Sequence, residues 1–213
     1  ETNRLWYRRT FTIPRGWKDK RVLLNFGAVD WSTHVFVNGK EVGEHQGGYD
    51  GFSFDITDAL QPKGEQEVVV SVWDPTDYGP RPRGKQVRNP HGIWYTPTSG
   101  IWQTVWLEPT DSAHIVGLKI TPDVDKGAVT IQAINVGSAD GDMAAMTIRD
   151  ELKQVYIASI TAGSCSQITM PVKDAKLWSP ESPHLYQLEV SIKRGKKTID
   201  RVASYFAMRK ISL

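Results

Sequence analysis

With 213 residues, 39% of them hydrophobic and 23% charged, the chain has room for one large domain or two of about 100 residues, and its composition excludes a disordered chain. The net charge is +2, and Lys and Arg balance Asp and Glu 13 to 13 over residues 1–110 and 13 to 11 over residues 111–213, so neither half offers the concentrated positive face a nucleic-acid partner requires. No apolar run approaches the roughly 18 residues of a membrane-spanning helix, and Cys165, the single cysteine, excludes an intrachain disulfide.

In chain order, period-2 alternation of apolar residues recurs, and no window of 11 or more residues keeps a 3.6 period, which predicts an all-β fold. The predicted strands of the first half cover residues 5–13, 21–26, 33–38, 40–45, 52–56, 66–73 and 101–108. Asn38-Gly39, between Val35/Val37 and Val42, is the signal of a two-residue type I′ hairpin. Thr57 stands where it can cap one short helical turn in Asp55-Ile-Thr-Asp-Ala-Leu60. Segment 101–108 carries Ile101, Val105 and Leu107 on one face and Trp102 and Trp106 on the other, so it is expected to be a central strand covered on both sides. Beyond a boundary at residues 109–112, strands are predicted at 113–121, 128–135, 143–150, 154–160, 164–172, 185–193 and 197–208. Seven strands in about 100 residues is the count of an immunoglobulin-like sandwich.

Between strands 66–73 and 101–108 lies a Pro-rich, basic and aromatic loop. Compact domains rarely carry a structureless loop longer than about 12–15 residues unless the loop has a function, and β scaffolds build binding sites from such loops. Trp94, Tyr95 and Trp102, with Trp31 after the turn Phe26-Gly-Ala-Val-Asp30, either stack on sugar rings, for which amphipathic aromatics give rigid contact area, or pin the loop to the sandwich as core. Arg81, Arg83, Lys85 and Arg88 are either solvated loop charges or contacts for a carboxylated or sulfated glycan.

Other chemistries find less support. His34 and His45 flank the hairpin without a third ligand at zinc-like spacing and read as ordinary sheet histidines. Cys165 lies in a Ser/Thr-rich strand and reads as a small packed residue rather than a nucleophile. Asp30, Asp50, Asp74 and Asp77 are candidate carboxylates for glycoside chemistry, although Asp74-Pro-Thr-Asp77 is most simply a turn. The start at Glu1 rather than Met reads as an excised piece, which leaves the compartment open, with periplasmic or secreted ahead of cytoplasmic.

Several segments together resemble glycoside hydrolase family 2, the β-galactosidase/β-glucuronidase/β-mannosidase group. Leu5-Trp-Tyr-Arg-Arg-Thr-Phe-Thr-Ile-Pro14 is similar to the opening strand of the family's sugar-binding domain. Phe26-Gly-Ala-Val-Asp30, Val35-Phe-Val-Asn-Gly-Lys-Glu-Val-Gly43, Phe54-Asp-Ile-Thr57 and Ser99-Gly-Ile-Trp-Gln-Thr-Val-Trp-Leu107 follow in the family's order. Leu177-Trp-Ser-Pro-Glu-Ser-Pro-His-Leu-Tyr-Gln-Leu188 resembles its immunoglobulin-like domain, and Ser204-Tyr-Phe-Ala-Met-Arg-Lys-Ile211 the segment leading into its catalytic barrel. The resemblance implies a jelly-roll-like β-sandwich over residues 1–110 and an immunoglobulin-like β-sandwich over residues 111–213. It also implies that the catalytic glutamates, one of them in an Asn-Glu pair, belong to a barrel domain; this chain has no Asn-Glu dipeptide, so no catalytic residue is expected within it. The implied partners are a carbohydrate with a terminal β-linked sugar and that barrel, without cofactor, metal, nucleic acid or membrane. Asp30 matches a position from which some relatives contact substrate, and His91, Trp94 and Tyr95 complete the expected substrate-binding set. Where the galactosidase branch carries an acid, this chain has Trp94, which leaves the sugar open. The alternatives are a stand-alone carbohydrate-binding module or a structural or adhesion tandem of sandwiches.

Overall fold

The computed structural model describes residues 4–151 and 153–212, Gln154 and Val155 by their backbone alone. The ends of the expected domain spans, residues 1–3 and 213, lie outside the described residues. The chain divides into two units, Glu1–Pro109 and Thr110–Leu213. Both are built from strands, as the alternating pattern predicts.

The first unit contains β1 (Arg4–Phe11), β2 (Arg21–Phe26), β3 (Val29–Asp30), β4 (Ser32–Val37), β5 (Lys40–Gln46), β6 (Phe52–Asp55), β7 (Gln66–Trp73), β8 (Gly100–Ile101) and β9 (Val105–Thr110). They form a sheet ordered β1-β7-β4-β5, a sheet ordered β6-β2-β9, and a short β3-β8 pair. Alternate residues of three strands make the sandwich core: Val22, Leu24 and Phe26 of β2, Val35 and Val37 of β4, and Val70 and Val72 of β7, with Val29 and Ile56. This is the period-2 signal converted into packing, since successive side chains of a strand leave on opposite faces.

The β4–β5 hairpin closes through Asn38 and Gly39, with φ of 51° and 80°, a left-handed pair that Asn and Gly tolerate better than other residues. Asn38 also ties the turn to its surroundings. Its Nδ2 donates to the Ala59 carbonyl and the Gln66 Oε1, and its Oδ1 accepts the Glu67 N–H.

Two local expectations are corrected. Thr57 does not cap a turn from outside; it is the first residue of a short 3-10 segment, Thr57–Ala59, preceded by Ile56. Its hydroxyl is engaged elsewhere, accepting the Val22 N–H and donating to Asp55. Segment 101–108 is not a central strand. It breaks at residues 102–104, because β8 pairs with β3 whereas β9 pairs with β2, and the backbone must step between partners. The step is held by the Gly27 N–H on the Thr104 carbonyl and by the Trp102 N–H on the Ala28 carbonyl. β9 is an edge strand, so Val105 and Trp106, like Trp102 before it, are exposed rather than covered on both faces.

The second unit contains β10 (His114–Asp123), β11 (Ala128–Val136), β12 (Asp142–Asp150), β13 (Lys153–Thr161), β14 (Cys165–Pro171), β15 (Tyr186–Arg194) and β16 (Lys197–Phe206). Sheets β10-β11-β14 and β13-β12-β15-β16 enclose a core drawn from alternate positions, including Ile131, Met146, Ile148, Leu188, Val190 and Phe206. Cys165 is corrected from packed to exposed: in β14 the alternation turns Ser166 inward, where its hydroxyl accepts from Asn135 Nδ2, and leaves the thiol outside. Across β12 and β15 the buried Asp142 carboxylate takes a bidentate pair from Arg194, at 2.8 and 2.9 Å, and accepts the Ala139 N–H. These donors hold its pKa down to about 2.

Two outcomes are expected. Asn38→Ala removes three hydrogen bonds and the side chain suited to the left-handed turn, so it should cost about 2–3 kcal/mol, read as a lower urea midpoint for the first unit. The Asp142 carboxyl is depressed on folding, so its contribution is complete above its unfolded pKa near 4 and is lost as pH falls toward 2. Thermal unfolding of the chain between pH 5 and pH 2 should therefore be less steep in pH for Asp142→Asn than for the parent.

Candidate functional site

Asp30 is delivered by the β3–β8 pair, in which Val29 faces Ile101 and Asp30 faces Gly100. Val29 is fully buried, and alternation therefore turns the Asp30 carboxyl away from the core. The Tyr7 hydroxyl accepts the Ile101 N–H at 3.2 Å and anchors β8 to β1.

The carboxyl opens on a narrow cleft of about 10 Å³ whose other walls are Asp74, Thr76, Arg81, Pro82, Arg83 and Gln86. That is room for about one water and not for a sugar ring. On the other side stands Gly48: a Cβ there would lie 2.8 Å from the carboxylate oxygen, so the buried glycine is what lets the 47–51 loop close on Asp30.

Burial raises the Asp30 pKa to about 6, with a further push from the Asp74 charge and an opposing pull from Arg81. Asp74 is fixed in place, its Oδ1 accepting the Thr76 N–H and its Oδ2 the Ser99 hydroxyl. Arg81 lies over the Trp31 ring, 4.7 Å from its centroid, with the Trp73 ring 6.0 Å away. Its Nε and Nη1 are buried with no hydrogen-bond acceptor among the described residues. The indole faces supply the favourable field that no carboxylate supplies directly.

The long loop is held largely by its own polar groups. Arg83 donates to the Asp77 carbonyl, Arg88 donates to the Pro75 carbonyl and lies 3.3 Å from the Asp77 carboxylate, and Gln86 accepts the Thr98 N–H. The Tyr95 N–H donates to the Lys85 carbonyl, and the Val87 N–H to the Tyr95 carbonyl. Arg83 and Arg88 are thus loop ties, a role that charge alone does not announce.

Of the residues selected from sequence, Asp30 reaches the cleft and the other three do not line it. His91 is exposed, with Nδ1 2.7 Å from the Asn89 carbonyl, Trp94 is half-buried, and Tyr95 is exposed. They stand on the same loop, and Tyr95 bridges to Gln86, a cleft residue. Sequence reasoning missed Gly48, for which the Gly47-Gly48 pair was the available signal, and it left Asp74, named among the candidate carboxylates, as a turn residue. His34 and His45 leave opposite faces of their sheet, His34 against Glu41 and His45 stacked on Phe52. Among the described residues no three His, Cys, Asp or Glu side chains gather as a metal-ligand set.

The Asp30 carboxyl should titrate near pH 6 when followed by carboxyl ¹³C NMR, lower in Asp74→Asn and higher in Arg81→Met. Because folding raises this pKa, Asp30 favours the folded state less as pH climbs from about 4 to about 6. Asp30→Asn should remove that part of the pH dependence and be relatively more stable at pH 8 than at pH 4.

Residues 1–108 match the family model described as the sugar binding domain of glycosyl hydrolases family 2, and residues 113–209 match a second model of glycosyl hydrolases family 2. A putative β-glucuronidase of Formosa agariphila is 30% identical over 97% of this chain, which spans 19% of that relative. A crystal structure of a putative β-galactosidase from Bacteroides fragilis superposes with a TM-score of 0.85 at 26% identity, covering 100% of this chain and 34% of that one. Bacteroides uniformis β-glucuronidase 2, solved covalently bound to cyclophellitol-6-carboxylate aziridine, superposes with a TM-score of 0.79 at 28% identity, covering 97% of this chain and 26% of its own. The chain therefore spans well under two thirds of each.

Proposed function

The chain belongs to glycosyl hydrolase family 2, and from that premise we propose that it is the non-catalytic sugar-binding and immunoglobulin-like part of a retaining glycoside hydrolase acting on a terminal β-linked sugar. The observation that carries this reading is the Asp30 carboxyl in the wall of a narrow cleft, in a unit matched to a sugar-binding domain. Well over half of each related protein's length lies beyond what this chain covers, which leaves room for a catalytic domain. In a retaining enzyme that domain supplies two carboxyl groups about 5–5.5 Å apart, one as nucleophile and one as acid/base. The covalent adduct on the B. uniformis relative fits such a mechanism.

In this scheme Asp30 borders the pocket. Ionised, it accepts charge-assisted hydrogen bonds from sugar hydroxyls; protonated, it keeps one carbonyl acceptor but loses the charge that strengthens them and gains a donor. With its pKa raised to about 6, the change falls within a working pH range. His91, Trp94 and Tyr95 offer a polar tip and apolar walls to the more distant parts of the substrate.

Asp30→Asn in the full-length polypeptide should lower kcat/KM by roughly 10–100-fold, the effect of losing a hydrogen bond to a charged group. Unchanged kcat/KM would remove Asp30 from the pocket. The purified 213-residue chain should hydrolyse neither aryl β-glucuronides nor aryl β-galactosides. Turnover by the chain alone, abolished by changing one of its carboxylates, would overturn the non-catalytic assignment.

A further inference from the structure

Trp102 is half exposed, at 50%, in a position where an alternating strand pattern leads one to expect core. Its indole is nevertheless fixed, because Nε1 donates to the Gly48 carbonyl at 2.8 Å. The Tyr49 ring meets it edge-on, with centroids 6.1 Å apart and planes at 75°, and Tyr49 is itself 51% exposed. Trp6 and Tyr78 are more exposed still, at 63% and 72%, but no side-chain hydrogen bond or ring contact among the described residues fixes them. Trp31 and Trp73 are fixed too, but Arg81 lies against them. Trp102 and Tyr49 thus form a solvent-facing aromatic corner, and Gly48 joins it to the site: a Cβ at Gly48 would lie 2.8 Å from the Asp30 carboxylate, while the Gly48 carbonyl holds Trp102.

We propose that Trp102 and Tyr49 form a stacking shelf for the sugar ring of the leaving group, the residue that follows the terminal sugar in a β-linked saccharide. The proposal rests on Asp30 meeting the terminal sugar. A sugar whose hydroxyl reaches Asp30 stands at the cleft mouth, because the cleft itself admits no ring. Gly48, which lies against Asp30 and holds the Trp102 indole, brings the aromatic corner within reach of the next ring. A pyranose presents a face of C–H groups that suits an aromatic plane, and a tethered ring offers that plane without losing rotamer freedom on binding. The indole N–H is already satisfied by Gly48, so the shelf selects for ring shape rather than for a particular hydroxyl pattern.

The test uses the full-length enzyme and two substrates with the same terminal sugar: the β-glycosyl fluoride, glucuronyl or galactosyl according to which is turned over, and the corresponding β-linked disaccharide with glucose. Trp102→Ala and Tyr49→Ala should each lower kcat/KM for the disaccharide by about tenfold or more and leave the fluoride within about twofold, as expected for an aromatic stacking contact. Trp102→Phe, which keeps a ring but loses the tether, should fall between. Equal losses on both substrates would make Trp102 a support for Asp30 and overturn the shelf, as would no loss on the disaccharide. Tyr49→Ala breaks no hydrogen bond of its side chain and guards against a fold defect in the Trp102 variants. Asp30→Asn separates the two readings, because it should impair both substrates alike. If it impairs neither while the Trp102 variants remain selective, the Asp30 assignment fails and the shelf survives.

Discussion

A two-residue ladder, Val29-Asp30 against Gly100-Ile101, is the constraint on which the site depends. It buries Val29, turns Asp30 outward, and sets the point at which the chain returns from the loop that left β7. A ladder so short has little stability of its own, since isolated strand pairs are marginal in water. It persists because the Tyr7 hydroxyl anchors Ile101, the Ala28 carbonyl receives Trp102, and the Thr104 carbonyl receives Gly27. The same step that interrupts segment 101–108 therefore creates the site: a continuous strand would have had no reason to leave β2 and reach Asp30.

The loop and the cleft solve one problem in two ways. A long irregular segment must satisfy its own backbone polar groups. Here Arg83, Arg88 and Gln86 do much of that work, so two of the loop's four cations serve as ties within it. Arg81 differs, because its guanidinium rests on indole rings and sends its charge toward Asp30 through space. Asp30 sits, half-buried, between the unfavourable charge of Asp74 and the favourable charge of Arg81. The result is a carboxyl whose protonation is adjustable, beside a hydrophobic core built from β2, β4 and β7.

The second unit shows how far alternation alone can go. Its seven strands lie where the pattern places them, and Ile131, Met146, Leu188 and Val190 enter the core from alternating positions. Exceptions come from residues whose pattern is silent about direction. In a strand of small polar residues nothing in the sequence says whether Cys165 or Ser166 faces inward, and the Asn135 amide decides it by binding the Ser166 hydroxyl. In the first unit, Thr57 is a plausible cap by type, but its hydroxyl is claimed by Val22, 35 residues away in sequence.

The sequence by itself determined the all-β class, the hairpin at Asn38-Gly39 and the motifs carrying the family resemblance. Those features are local: they rest on period-2 alternation, on left-handed backbone preferences, and on motifs contiguous along the chain. Only the tertiary structure decided that Asp74, Arg81 and Gly48 surround Asp30, that His91, Trp94 and Tyr95 do not line its cleft, and that Trp102 faces solvent beside Tyr49. Those contacts join residues 18 to 54 positions apart, across a loop whose path is set by hydrogen bonds between side chains and distant carbonyls. A one-dimensional pattern holds the propensity of each residue but not the identity of its partner, and in this site the partner fixes both the direction of the side chain and its charge.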